Sequence, residues 1–123
     1  MSKMNVYYVY LLMCWKDATS MALQRPLYGH LIYCGQTNNI FRRLKEHITG
    51  KSFYTKQFKG NIKLGYLEAY ETRAEAMKRE DEIKKYSRNK KVKMILSFQK
   101  NFKKELEFIE KNLLSLLSHS RGS

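Results

Sequence analysis

With 123 residues the chain has room for one hydrophobic core but not for two. Its 24 Lys and Arg against 11 Asp and Glu give a formal charge of +13, far more than solubility needs, so the leading partner is a polyanion: nucleic acid first, an anionic membrane surface second. No apolar run approaches the ~20 residues of a membrane span, no small-residue cleavage site follows the first segment, and neither Cys14 nor Cys34 has the neighbours of a zinc site. The expectation is a soluble, cytoplasmic protein with no membrane partner.

Val6 to Cys14 is a β-branched and aromatic run, apolar at nearly every position, as in a strand covered on both faces. Tyr10 then carries its hydroxyl into the interior, where it needs a hydrogen-bond partner or a task. Residues 15 to 30 break the pattern and contain the only proline. They read as a long aperiodic loop exposing Trp15, Met21 and Tyr28, which is either an inert elaboration or a surface for substrate. Leu31 to Gln36 forms a second strand.

From Asn38 or Asn39 to Gly50 the spacing predicts a capped amphipathic helix, with Ile40, Leu44 and Ile48 facing the core. Arg43 and His47 lie one turn apart along the edge of that stripe, while Arg42, Lys45 and Glu46 point away. Basic residues so placed either snorkel to water or, with the strand-end Tyr33, build a rim with a function. Lys51, Phe53, Tyr54, Lys56, Phe58 and Lys59 follow in alternation. This is a pattern for neutralising phosphates and stacking on bases, or for anchoring a loop by its aromatics. Lys63 to Tyr70 is the third strand.

Thr72 to Glu75 reads as a capping box, which gives Glu75 a structural role. Glu80 differs, because it falls between Met77 and Ile83 on the face that packs against the sheet. A carboxylate there is costly unless paired or bound to a cation. Lys84 to Lys91 is the densest basic run and suits tracking of a phosphate backbone. Residues 98 to 117 form a last helix carrying Phe102, Leu106, Ile109, Leu113 and Leu116, which packs on the domain or pairs with a second copy as a homodimer. Residues 118 to 123 should fray.

Several short motifs recur in a fixed order: Tyr8-Val9-Tyr10, Tyr33-Cys34-Gly35, Arg43, His47, Gly50-Lys51, Tyr54-Thr55, Arg73-Ala74-Glu75-Ala76, Glu80, Ile83-Lys84-Lys85 and Ser87-Arg88. The ordered set resembles the GIY-YIG nuclease superfamily over roughly residues 5 to 95, and most of all its small stand-alone prokaryotic members. The resemblance implies an α+β fold, a three-stranded antiparallel sheet flanked by helices in the order strand, strand, helix, strand, helix, helix. A nuclease domain would span 1–96, with 15–30 inserted where relatives have a short hairpin, followed by a helix over 97–118 and a tail over 119–123. It also implies a DNA endonuclease, structure-selective or single-strand-selective, working in DNA repair or processing with one Mg²⁺ or Mn²⁺.

In that reading Glu80 is the metal ligand, Arg43 stabilises phosphate charge, Tyr10 and Tyr33 position or deprotonate the water, and His47 carries a proton or donates to phosphate. Lys51, Tyr54, Thr55, Lys56, Lys84, Lys85, Arg88 and Lys91 would hold nucleic acid. Tyr8 and Cys34 depart from the motif's usual residues, and neither removes a reacting group. The competing class is a basic module that binds nucleic acid without cutting it. Retention of all five candidate catalytic residues argues for the enzyme.

Overall fold

Tyr7–Cys14 forms the first strand, β1, and every side chain from Val9 to Cys14 is buried. A strand this apolar belongs in the middle of a sheet, and in the computed structural model it lies between β2 (Leu31–Thr37) and β3 (Ile62–Tyr70), antiparallel to both. The structure describes residues 5–121, and the side chains of residues 116 and 118–121 lie outside the described set. The helices are α1 (Ala18–Leu23), α2 (Ile40–Ile48), α3 (Arg73–Lys84), α4 (Arg88–Asn101) and α5 (Lys103–Arg121), with a single 3-10 turn at Lys56–Phe58. The fold is α+β, with the three-stranded antiparallel sheet expected from the sequence.

Alternation along β1 divides the interior into two layers. Tyr10, Leu12 and Cys14 face one way, toward Ile40 and Leu44 of α2 and Leu106 and Leu113 of α5. Val9, Leu11 and Met13 face the other way, toward Ala76 and Ile83 of α3 and Ile95 of α4. A bulge opposite Leu11 and Leu12 leaves Gly65 as the extra residue on β3, between Leu64 and Tyr66. A Cβ at Gly65 would stand 3.2 Å from Ile95, so glycine lets α4 close onto the strand. The bulge also turns Tyr66, Glu68 and Tyr70 toward α3, where Glu68 accepts from Tyr66, from Tyr70 (2.5 Å) and from Arg79 (2.9 Å).

Three expectations are corrected. The segment after β1 is not an open loop: Asp17 caps the short α1, accepting from the Ser20 N–H at 2.7 Å. Trp15 is fully buried and Met21 and Tyr28 are half-buried, all three packed on the α3–α4 layer rather than displayed. The final helix does not begin near residue 98, because the chain turns at Phe102 and separates α4, which owns Phe98, from α5. The α5 helix packs on its own domain through Leu106 and Leu113, and its backbone stays helical to Arg121, past the point where fraying was expected. The side chain of Leu116 and residues 122–123 lie outside the described residues.

Candidate active site

Asn39 caps α2 through the Arg42 N–H at 3.1 Å, and that start sets the phase by which Leu44 enters the core while Arg43 and His47 reach the sheet beside it. Tyr10 comes from the opposite side. It pairs with Gly35 across β1 and β2, and a Cβ on Gly35 would sit 2.5 Å from the Tyr10 hydroxyl and 3.0 Å from the Tyr33 ring. Only glycine lets the phenol lie over the neighbouring strand.

The Tyr10 hydroxyl is 2.8 Å from His47 Nε2, and His47 Nδ1 is 2.6 Å from Thr55 Oγ1. Tyr10, His47 and Thr55 are all fully buried. The Arg43 fork donates to Glu46 at 2.9 Å and Ser52 at 3.4 Å, and its charge lies close enough to act on Tyr10 and Tyr33. Both ring nitrogens of His47 are thus paired; with the Tyr10 hydroxyl assigned as donor to Nε2, Nδ1–H donates to Thr55.

The electrostatics agree with that assignment. Burial raises the Tyr10 phenol well above the ordinary tyrosine range, against the lowering effect of Arg43. Burial first, then the Arg43 charge, lowers the His47 imidazole to about 4, so the ring is neutral at neutral pH. Burial opposes the charge on Arg43, but hydrogen bonds to Glu46, Tyr10 and Tyr33 outweigh it and raise its pKa. Glu80, on α3, has a side chain 17% exposed, with Lys84 Nζ at 3.6 Å. It lies near enough that, behind the larger effect of burial, its charge adds to the upward push on the Cys34 thiol, to about 11, and on Tyr10. Among the described residues no cluster of three or more His, Cys, Asp or Glu could hold a metal ion; the other carboxylate at Arg43, Glu46, is taken up by the arginine fork, whereas Glu80 faces only Lys84.

A buried neutral histidine makes stability depend on pH. Below about pH 6.5 the unfolded chain binds a proton that the folded chain refuses until about pH 4, so stability falls as pH falls through that window. The expected loss is on the order of 3 kcal/mol, read as a falling urea midpoint from pH 7 to 4. His47→Gln should flatten the upper part of the curve, above the carboxylate range.

The other expected contacts divide. Tyr54 is 66% exposed, and Lys51, Lys56, Lys84 and Lys85 are also exposed, while Lys91 is half-buried. Thr55 is corrected, since it is sealed beneath the loop and holds His47 rather than nucleic acid. Arg88 is exposed and also has a structural task. Its guanidinium bonds to the carbonyls of Gly29 and His30, tying the segment after β1 to the start of α4. Unforeseen was a cleft of about 380 Å³ beside Arg43, lined by Asn38, Arg42 and Arg73. The signal was available, because Arg42 lies in the first turn after the Asn39 cap and Arg73 directly follows the Thr72 cap, and both meet Gln36 and Thr37 at the end of β2.

The GIY-YIG catalytic domain matches residues 6–93. The chain belongs to the GIY-YIG family. It is 36% identical over 102 residues to a UPF0213 protein of Clostridium perfringens, a match covering 80% of this chain and 96% of that protein. It is 33% identical over 92 residues to a UPF0213 protein of Staphylococcus saprophyticus (75% of this chain, 96% of that protein) and 35% identical over 92 residues to one of Staphylococcus haemolyticus (75% and 96%). No solved structure matches it. The GIY-YIG match spans β1 through the first part of α4 and takes in all five candidate catalytic residues. Among the described residues no helix is long and apolar enough to cross a membrane.

Proposed function

We propose that this GIY-YIG protein is a divalent-metal-dependent DNA endonuclease of the cytoplasm that processes single-stranded or branched DNA in repair. The observation that carries the reading is the buried hydrogen-bonded chain from Tyr10 through His47 to Thr55 behind Arg43, with Glu80 close enough for its charge to act on Tyr10. A module that only binds phosphate gains nothing from a buried phenol and imidazole behind its arginine. A nuclease gains an arginine held in one orientation.

Glu80 suits a hard cation that takes one carboxylate and completes its shell with water and phosphate oxygens, as Mg²⁺ and Mn²⁺ do. When bound, such a cation supplies Lewis acidity at the phosphate and an acidic water for the departing oxygen. The protein's own groups do the rest. Arg43 meets the charge that builds on the phosphate. Tyr33, half-buried and close enough to Arg43 to act on its charge, is the phenol at the surface and orients the attacking water. Tyr10 and His47 are positioning residues behind it, since neither has any exposed surface. This revises the equal roles that the two tyrosines had in the sequence reading. Lys51, Lys56, Lys84, Lys85 and Lys91 remain proposed contacts to the backbone, and Arg42 and Arg73 join them at the cleft.

The test is to mix the protein with labelled single-stranded, duplex and branched DNA in Mg²⁺, Mn²⁺ or EDTA. Cleavage is expected with either metal and none in EDTA. Retarded DNA without cleavage in every condition would assign the chain to the binding modules instead.

A further inference from the structure

The loop from Lys51 to Gly60 is built from two interleaved sets of residues. Ser52, Thr55 and Phe58 are 3%, 0% and 3% exposed and pin it from below, Ser52 to Arg43 and Thr55 to His47. Between those pins Phe53 and Tyr54 stand 74% and 66% exposed. Leaving a large aromatic in water forgoes the gain that burial would return, and here two neighbours do so on a pinned backbone.

Their rings are also ordered. Tyr54 lies nearly parallel to Tyr33, with centroids 6.3 Å apart and planes at 23°. Phe53 stands edge-on to Tyr54 at 5.4 Å, and Lys56 Nζ sits 5.0 Å from the Phe53 centroid. No acid occurs between Lys51 and Gly60, whereas Lys51, Lys56 and Lys59 are all exposed.

We propose that Phe53 and Tyr54 form a stacking platform for an unpaired nucleobase beside the reacting phosphate, making single-stranded DNA, or the unpaired arm of a branch, the substrate. The proposal rests on the active-site reading above and fixes its substrate class. Each component of the loop matches one part of a single strand. Aromatic faces accept any base whose own face is free, and the surrounding lysines neutralise the phosphates on either side. A closed duplex keeps its base faces stacked inside, so it offers this surface only phosphates. Continuity with Tyr33 places the stacked base next to Arg43, which is what cutting beside an unpaired base requires.

The experiment measures binding in EDTA, where nothing is cut. The probes are a labelled mixed-sequence single strand, a blunt duplex of the same sequence, and a single strand carrying a fluorescent purine whose emission is quenched on stacking. The wild type should prefer the single strand and quench the purine. Phe53→Leu with Tyr54→Leu keeps apolar bulk but removes the ring faces. It should weaken single-strand binding by roughly 10- to 100-fold, abolish quenching, and leave duplex affinity unchanged. Phe53→Trp with Tyr54→Phe should retain both binding and quenching.

A double-leucine variant that binds the single strand like the wild type, or a wild type that prefers duplex or leaves the purine bright, overturns the platform. If the wild type binds and quenches but cuts nothing in Mg²⁺ or Mn²⁺, the platform stands and the nuclease reading falls. If both proteins cut the single strand equally, the platform falls and the nuclease reading stands.

Discussion

Glu80→Gln should cut DNA at least about a thousandfold more slowly than the wild type while binding it as tightly or more tightly. The size of the loss follows from the charge stabilisation a Lewis acid supplies, several kcal/mol, at 1.36 kcal/mol per factor of ten. Glutamine keeps the length and hydrogen-bonding reach of the side chain and removes the charge that attracts a cation. Loss of folding is not expected to confuse the result. The partner of Glu80 is Lys84 at 3.6 Å, with a half-exposed side chain, and a surface pair of that kind contributes at most ~1 kcal/mol. Glu75→Gln is the matched control, since Glu75 only accepts from the Thr72 hydroxyl at 2.8 Å in the cap of α3. It should cost about 1 kcal/mol of stability and little activity. Cleavage by Glu80→Gln at the wild-type rate would overturn the metal assignment and the mechanism with it.

Arg43→Lys should lose nearly as much activity as Arg43→Ala, about 10²- to 10³-fold in kcat at saturating DNA. A lysine keeps the charge, but a single ammonium cannot hold Glu46 and Ser52 together as the planar fork does while standing beside Tyr10 and Tyr33. Measuring kcat and KM separately identifies the role. A fork that stabilises the transition state lowers kcat, whereas a simple phosphate anchor would raise KM and leave kcat near normal. Near-complete rescue by lysine would show that Arg43 acts only as a point charge.

How much of this was legible beforehand differs element by element. The all-apolar run of β1 announced a central strand, and the spacing of Ile40, Leu44 and Ile48 announced α2 with Arg43 and His47 on its inner edge. Trp15 was misread because a six-residue helix is too short to show periodicity, although Asp17 three residues before Ser20 was a readable cap. Thr55 was misread because the loop holding it repeats every three residues, Ser52, Thr55 and Phe58. That spacing turns all three inward at the entry to and within the 3-10 turn, whereas the family resemblance had assigned Thr55 to nucleic acid. The turn at Phe102 has no Gly or Pro to mark it. Burial of Tyr10 was foreseen, but its facing His47 rather than solvent depends on the approach of two elements that no local pattern encodes.

The placement of β1 has a consequence for synthesis. The strand made first occupies the middle of the sheet, and its outer partner β3 is not complete until Tyr70 has been added. Glu80 follows later still, on α3. At ~5–20 residues per second, several seconds separate Tyr10 from Glu80 on the ribosome. During that interval Arg43 and the aromatic loop can already be present without the carboxylate that the cutting reaction is proposed to need. A nascent chain of this protein therefore carries Arg43 and the aromatic loop before it carries Glu80, and the proposed set of reacting groups is complete only once α3 has been made.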